Sequence, residues 1–426
     1  MAVSDALVAG RGSVGEVLTP AAAEEILVAA LERSKLDGKR VLAVVPDGTR
    51  TAPIPLLFRV LNEHLLPRAG ALDYLIALGT HPPMAEPAVA GLVGMPAAER
   101  DRRYPGVRVF NHNWDRDDAL VTIGTITAAE ADALTGGLLA RDVVIRLNRL
   151  VDDYDLLLLC GPVFPHEVAG YSGGAKYLFP GIAGAGIIDF THWLGALSTS
   201  LATIGVRDTP VRRVIHRAAE LVRAELLCVA MVLDGPDLHG IWVGGHLEAF
   251  EAAAELSSQL NVIRVPQPFT RVLSMPAERY DDLWTAAKAM YKTEPVIADG
   301  GEVVIYAPHV KEVSYTHGRL IDQVGYHVRD YFLGQWERFK DVPGAVLAHS
   351  THVKGSGTYD HVAGSEWPRI QVTLATSIPE ERCRRINLGY ADHRAIDPVE
   401  WADRWGEDLL VVPHAGEKLY RLDQSI

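Results

Sequence analysis

The sequence predicts an α/β protein of two domains with mostly parallel sheets and an active site in the cleft between them. Three observations predict this. Short apolar runs alternate with stretches of helical length, the pattern of strands joined by crossover helices. At 426 residues the chain exceeds what one hydrophobic core usually covers. Polar segments rich in glycine and histidine follow directly on apolar runs, where α/β folds place ligands.

The elements follow in order. Thr19 can cap, and Pro20 can open, a helix over Pro20–Arg33. Lys39–Val45 reads as a strand, Pro53–Leu66 as a helix and Leu72–Leu78 as the next strand, followed by strands at Val107–Asn111, Val143–Asn148 and Asp155–Cys160. Thr127 can cap a helix over Ala128–Leu134. Further helices are predicted at Ile182–Leu197, Pro210–Glu225 and Leu247–Gln259. Asn261–Phe269, with Pro266 and Pro268, reads as a linker. The alternation then resumes: strand Arg271–Ser274, helix Tyr280–Tyr291, strand Glu302–Ala307, helix Arg329–Lys340, strand Ala345–Ala348, and strands near Ile370–Ala375 and Leu409–Val412. This divides the chain into an N-terminal cofactor-binding α/β domain over residues 1–265 and a smaller α/β domain over 266–426, whose last segment could pack back on the first.

With 48% hydrophobic and 22% charged residues the composition is that of an ordinary globular protein. The net charge of -13 argues against nucleic acid or an anionic membrane as partner. No apolar run approaches the ~20 residues of a membrane helix. The N-terminus lacks a basic segment followed by an apolar core, so a secretory signal is not expected. Cys160, Cys228 and Cys383 have no zinc spacing and suit a reducing cytoplasm, which is the compartment expected.

Four polar segments carry candidate chemistry. Pro46-Asp-Gly-Thr-Arg-Thr51 follows a strand and precedes a helix, so Asp47, Thr49 and Arg50 lie where helix amides favour an anion. Arg50 could clamp a carboxylate through two parallel hydrogen bonds; an Asx turn with a solvated arginine reads the same residues equally well. Gly79-Thr-His-Pro-Pro-Met84 puts His81 just past a strand end, stiffened by two prolines, as a general-base candidate. His112, after another strand, reads as an orienting or structural group.

The most informative segment is Pro165-His-Glu-Val-Ala-Gly-Tyr-Ser-Gly-Gly-Ala-Lys176. Gly170, Gly173 and Gly174 admit positive φ and a close ligand. Ser172 lies among them, and Lys176 is presented beside them. The segment is not a Walker loop, which would need glycine at Ala175 and Ser or Thr at Tyr177, nor has it GxGxxG spacing. A tight strand-to-helix turn explains the glycines but not His166 and Lys176 around them. His192 follows on a predicted helix. Trp284, Thr285 and Lys288 fall on adjoining turns of a later helix. His349, His352 and His361 form a tract without i, i+4 spacing, a weak metal signal.

Together these segments resemble the nickel-dependent lactate racemase family, through Asp-x-Thr-Arg at Asp47–Arg50, Gly-Thr-His at Gly79–His81, the long segment at Pro165–Lys176, and His192. The resemblance implies a nickel-pincer nucleotide, a pyridinium mononucleotide with two sulfur-bearing arms. Lys176 would be joined to it through a thioamide, and His192 would complete the nickel plane, a sensible ligand for Ni(II). It further implies His81 and His166 as paired acid/base groups, and Arg50 and Lys288 as substrate carboxylate holders. Asp47 would orient Arg50 or the cofactor, which Thr49, Gly170, Ser172, Gly173 and Gly174 would help to bind.

The implied reaction is racemisation or epimerisation of a 2-hydroxy acid by reversible hydride transfer. Loss of hydride leaves a neutral ketone function, whereas loss of the α-proton would place charge beside a carboxylate. An imidazole can take and return the hydroxyl proton near neutrality, and closure of the second domain over the first would retain the intermediate.

Where lactate racemases carry a Tyr-Gln-x-x-Lys pattern, this chain has Trp284-Thr285-Ala-Ala-Lys288. A substrate larger than lactate is therefore expected: a sugar acid, a malate-like diacid or an aryl 2-hydroxy acid. The expected partners are that small molecule and the enzymes that build the cofactor. The alternative readings are a pyridine-nucleotide-type oxidoreductase, lowered by the missing fingerprint, and a non-catalytic organic-acid-binding relative. The sequence leaves the oligomeric state open.

Overall fold

In a computed structural model, the structure describes residues 7–403, 406 and 408–423. The chain divides into two compact units, and both are α/β. The first runs up to Phe164 and adds Tyr171–Ile188 and Arg212–Leu260; the second comprises Pro165–Gly170, Asp189–Val211 and the chain from Asn261 onward. His166 and His192 are thus carried by the second unit, through two segments threaded between elements of the first.

The first unit is built on a seven-stranded sheet. In spatial order its strands are Leu7–Gly12, Asp237–Gly244, Glu225–Asp234, Leu156–Pro162, Arg40–Pro46, Ala71–Ala77 and Val109–Asn111. The last five are mutually parallel, and Asp237–Gly244 alone runs against them, antiparallel to both of its neighbours. The central strands are unbroken apolar runs because helices cover both faces: Val41 to Val44 and Leu156 to Cys160 are at most 1% exposed. The chain moves outward in opposite directions from the neighbouring strands Arg40–Pro46 and Leu156–Pro162, so the crevice at their carboxyl ends is the topological switch point of the sheet. The segments holding Asp47 and Lys176 leave from those two ends.

Helix Pro20–Arg33 forms as its signals predict: the Thr19 hydroxyl accepts from Ala22 N at 3.2 Å, and proline takes the first turn. Helix Ala128–Thr135 opens with a full capping box, Thr127 and Glu130 each holding the other's backbone amide.

The second unit has a five-stranded parallel sheet in the order Gly389–Tyr390, Gln371–Thr376, Ile297–Ala307, Phe269–Pro276, Leu409–Ala415. Val262–Val265 pairs in parallel with Leu419–Leu422.

Several expected boundaries need correction. The helix expected over Pro210–Glu225 ends at Ala219, and Glu225 instead opens a ten-residue strand that turns back at Gly235-Pro236 into an antiparallel partner. The expected linker Asn261–Phe269 contains the strand Val262–Val265. Ala345–Ala348, read as a strand, lies in the buried helix Gly344–Lys354. A short wholly apolar run has no period by which to tell a buried helix from a buried strand. Trp284 and Lys288 fall on two successive helical pieces, Leu283–Ala286 and Lys288–Tyr291, rather than one continuous helix.

Candidate active site

In the first unit, the strands Arg40–Pro46 and Ala71–Ala77 run parallel and end in register, Pro46 beside Ala77. The turns that follow bring Asp47 and His81 together. The imidazole Nδ1 lies 2.5 Å from Asp47 Oδ2, while Oδ1 accepts from the Thr49 amide at 3.1 Å and the Thr49 hydroxyl at 2.5 Å. Asp47 is buried. Burial by itself would raise its pKa, but attraction and hydrogen bonding from His81, the charge of Arg50 and the Thr49 hydroxyl hold it well below the ordinary carboxylate range. An ionised carboxylate can only accept, so Nδ1 of His81 carries a proton, and in the neutral form of the ring Nε2 offers a lone pair.

Arg50 donates to the Thr49 hydroxyl at 3.2 Å, and its guanidinium lies 5.5 Å from the centre of the Phe164 ring. The Asp47–His81 pair is the main site feature that sequence reading missed. The signal available was two polar turns following neighbouring strands, but strand order had to be known first.

The Lys176 segment leaves the adjacent strand Leu156–Pro162. The Ser172 hydroxyl donates to Pro162 O at 2.9 Å and accepts from Phe164 N at 3.0 Å, so it clasps the loop at its base. Gly173 has φ +82°, and a Cβ there would fall 2.5 Å from Val163 Cγ2, so both conformation and space demand glycine. Gly174 also has positive φ. Buried Arg212 holds the loop from behind: it donates to the carbonyls of Tyr171 and, at 3.2 Å, Gly173, and lies 4.2 Å from the centre of Phe250. Lys176, half-buried, sits on the single turn Gly174–Tyr177 that follows.

His112 backs this region. It bridges the Ala183 carbonyl at 2.9 Å and the Asn148 amide at 3.1 Å, a structural role. Burial lowers its pKa to about 4, against an ordinary 6.5. Between those values the unfolded chain binds a proton that the folded chain refuses, so stability is full above pH 6.5 and falls as pH drops toward 4. The full effect of this one group is about 3 kcal/mol. Thermal unfolding followed from pH 7 to pH 4 is expected to show this loss, and His112→Gln to flatten it; an unchanged slope in a folded variant would contradict the assignment.

In the second unit, Nδ1 of buried His166 accepts from Val168 N at 3.1 Å, which leaves Nε2 of the neutral ring as the proton carrier. Its loop is pinned by Lys292, whose Nζ donates to Pro165 O at 2.8 Å and Glu417 O at 2.7 Å. Gly170, φ +82°, closes it where a Cβ would strike Val206 O at 1.8 Å. Glu167 Oε2 lies 3.5 Å from His166 Nδ1. Burial opposes its ionisation, but Lys288, His352 and Lys292 hold its pKa down. Sequence reading passed over Glu167 because a lone loop glutamate gives no signal.

Lys288 is buried, donates to Thr285 O at 3.3 Å and lies 4.8 Å from the centre of the Tyr280 ring. The Thr285 hydroxyl donates within the Asp282 cap, 2.9 Å from its Oδ1. Trp284 stacks on His349 at 4.1 Å and tilts against His317 at 4.6 Å, a rigid aromatic wall. His192 is half-buried in the helix Ala185–Ser198. The histidine tract is not a loop: His349 and His352 lie on the helix Gly344–Lys354, and His361 follows the strand Gly357–Asp360. Among the described residues, the grouping that could hold a metal through three such side chains is Glu24, Glu63 and His64, where Arg59 already bridges both carboxylates.

The structure therefore brings Asp47, Thr49, Arg50 and His81 into one hydrogen-bonded group and sets Ser172, Gly173, Gly174 and Lys176 on the loop leaving the adjacent strand. In the second unit it groups His166 with Glu167, and Trp284, Thr285 and Lys288 on consecutive turns. Taken singly, an amine at Lys176 is the group a thioamide tether would need, and an imidazole at His192 is a donor that nickel would accept.

Comparison with known proteins bears on the family and the fold. Residues 7–205 match the lactate racemase N-terminal domain. Lactate racemase of Thermoanaerobacterium thermosaccharolyticum is 22% identical over 310 residues, spanning 70% of this chain and 68% of that protein. The enzyme of the same name from Lactiplantibacillus plantarum is 21% identical over 275 residues, spanning 63% and 60%. A crystal structure of a protein from Thermotoga maritima superposes with TM-score 0.88 at 34% identity, covering 96% of this chain and 99% of that one. The lactate racemase apoprotein structure from T. thermosaccharolyticum gives TM-score 0.71 at 18% identity, covering 97% and 94%, and shares the fold. With its mixed α/β units, parallel sheets and the motif residues described, the chain belongs to the lactate racemase family.

Proposed function

We propose that the protein is a racemase or epimerase of a 2-hydroxy acid larger than lactate, acting with a nickel-pincer nucleotide tethered at Lys176. The observation that carries the reading is the Asp47–His81 pair, a buried ionised carboxylate 2.5 Å from an imidazole at the carboxyl ends of two parallel strands. A protein that only bound organic acids would have no use for a histidine tautomer fixed in this way. When bound, the cofactor supplies the site that takes and returns the α-hydrogen as hydride.

The chain's own residues do the rest. His81 accepts the hydroxyl proton at Nε2, and Asp47 stabilises the imidazolium that results. His166 presents Nε2–H to a substrate oxygen. It acts as a base in turn only with its Nδ1 protonated, a form that Glu167 Oε2 at 3.5 Å favours. Arg50 and Lys288 are the cations assigned to the carboxylate, and Trp284 and Thr285, on the helical piece just before that of Lys288, are assigned to the group on C3. Thr285 in place of a longer side chain gives that group room, which is why lactate is not the preferred substrate.

A panel of 2-hydroxy acids tested on protein made together with the cofactor-building enzymes checks this; lactate as the best substrate refutes the size assignment. His192→Ala is expected to lower nickel content at least tenfold by elemental analysis while leaving the fold and the Lys176 adduct in place. Unchanged nickel occupancy would remove His192 as ligand.

A further inference from the structure

Tyr177 directly follows Lys176 and closes the turn Gly174–Tyr177 in the first unit. The amides of Leu178 and Phe179 both donate to Ala175 O at 3.0 Å, and the Phe179 side chain is fully buried, so the turn is fixed. The chain just beyond it is tied to the His81 segment, where Gly79 N donates to Gly181 O at 2.9 Å.

The phenol rests against the backbone of Gly161, near the carboxyl end of the strand Leu156–Pro162. A Cβ at position 161 would fall 2.0 Å from the phenol oxygen and 2.3 Å from Cζ, so glycine leaves the space that the ring tip fills. Tyr177 is half-buried. Among the described residues its hydroxyl makes no hydrogen bond, and it is not sealed in the interior.

Two charged groups of the candidate site lie within electrostatic reach of this hydroxyl, Arg50 and Asp47. Burial pushes the phenol's pKa up, Arg50 opposes that rise and Asp47 adds to it. At neutral pH the phenol therefore keeps its proton and is a donor. Asp47 does not take the bond, because its oxygens are engaged by the Thr49 amide and hydroxyl and by His81 Nδ1. Arg50 has no acceptor to offer. A neutral donor beside a cation suits an anion that can accept from both.

Resting on the function proposed above, we infer that Tyr177 is a further substrate-binding residue, whose hydroxyl donates to the carboxylate of the 2-hydroxy acid beside Arg50. The guanidinium supplies the opposite charge, and the phenol adds a directed hydrogen bond without a second charge. The carboxylate is common to every 2-hydroxy acid and keeps its charge when hydride leaves. The contact is thus as strong in the bound substrate as in the transition state, and it serves binding rather than the chemical step.

The test is Tyr177→Phe, which keeps the ring on Gly161 and removes only the hydroxyl. Gluconate, malate, phenyllactate and lactate are compared on enzyme carrying the Lys176 adduct and nickel. For each acid turned over, KM is expected to rise about tenfold while kcat stays within about threefold. Thermal unfolding of the cofactor-free protein in excess acid gives a second readout. The acid that raises Tm most in the parent is expected to raise it less in the variant. An unchanged KM in the folded variant overturns the inference, as does a parent Tm that none of the four acids moves. Loss of the adduct, or a fall in kcat at constant KM, would assign the hydroxyl to the cofactor and overturns it equally. In each of these cases the racemase reading stands. Absence of the adduct from the parent protein, together with absence of turnover on every acid, overturns both.

Discussion

Lys176→Ala is expected to abolish racemisation completely and to remove the covalent adduct from the intact mass. The loop explains why no neighbour can substitute. The turn Gly174–Tyr177 presents one amine at the carboxyl end of the strand Leu156–Pro162, beside the switch point of the sheet. Ser172 clasps the loop to Pro162 O and Phe164 N, and Arg212 fixes two of its carbonyls, so the amine's position is set by packing rather than by chance of rotamer. An arginine at 176 would keep the charge but could not form a thioamide, so Lys176→Arg should fail equally. The variant's fold should be unchanged by thermal unfolding, since Lys176 lies outside the buried core. An adduct of the same mass persisting in Lys176→Ala would refute the tether.

Asp47→Asn is the second large effect: kcat is expected to fall by roughly 10²–10⁴, the scale of losing an oriented acid/base group. The substitution is nearly isosteric and preserves an acceptor for Thr49, so the turn should hold. What disappears is the negative charge opposite Nδ1, and with it both the fixed tautomer of His81 and the stabilisation of its charged form. Asp47→Glu should restore part of the rate, and the adduct at Lys176 should be present in both. A loss in Asp47→Asn under about threefold would reduce Asp47 to a turn-former.

How much of this was readable beforehand follows from what each feature depends on. Helix Pro20–Arg33 and the strands around Val41 and Leu156 declare themselves locally, through a cap, a proline or an unbroken apolar run. Helix Gly344–Lys354 does not, because its buried, all-round apolar stretch erases the period that separates helix from strand. The candidate residues of the site were visible as types: an aspartate, an arginine, two histidines and a lysine after strands. Their pairings were not. Asp47 meets His81 because the strands preceding them are neighbours, and Glu167 sits by Lys288 and His352 because distant segments converge. Strand order and long-range convergence are properties of the folded chain, so single-sequence reading could name the parts and not the pairs.

The threading of residues 165–170 and 189–211 out of one unit and into the other has an engineering consequence. Neither half can be cloned as a contiguous fragment. Cutting the gene near residue 260 would strip the C-terminal piece of His166 and His192 and leave the N-terminal piece carrying two orphan excursions. Chimeras that exchange the second unit must therefore transplant three stretches at once.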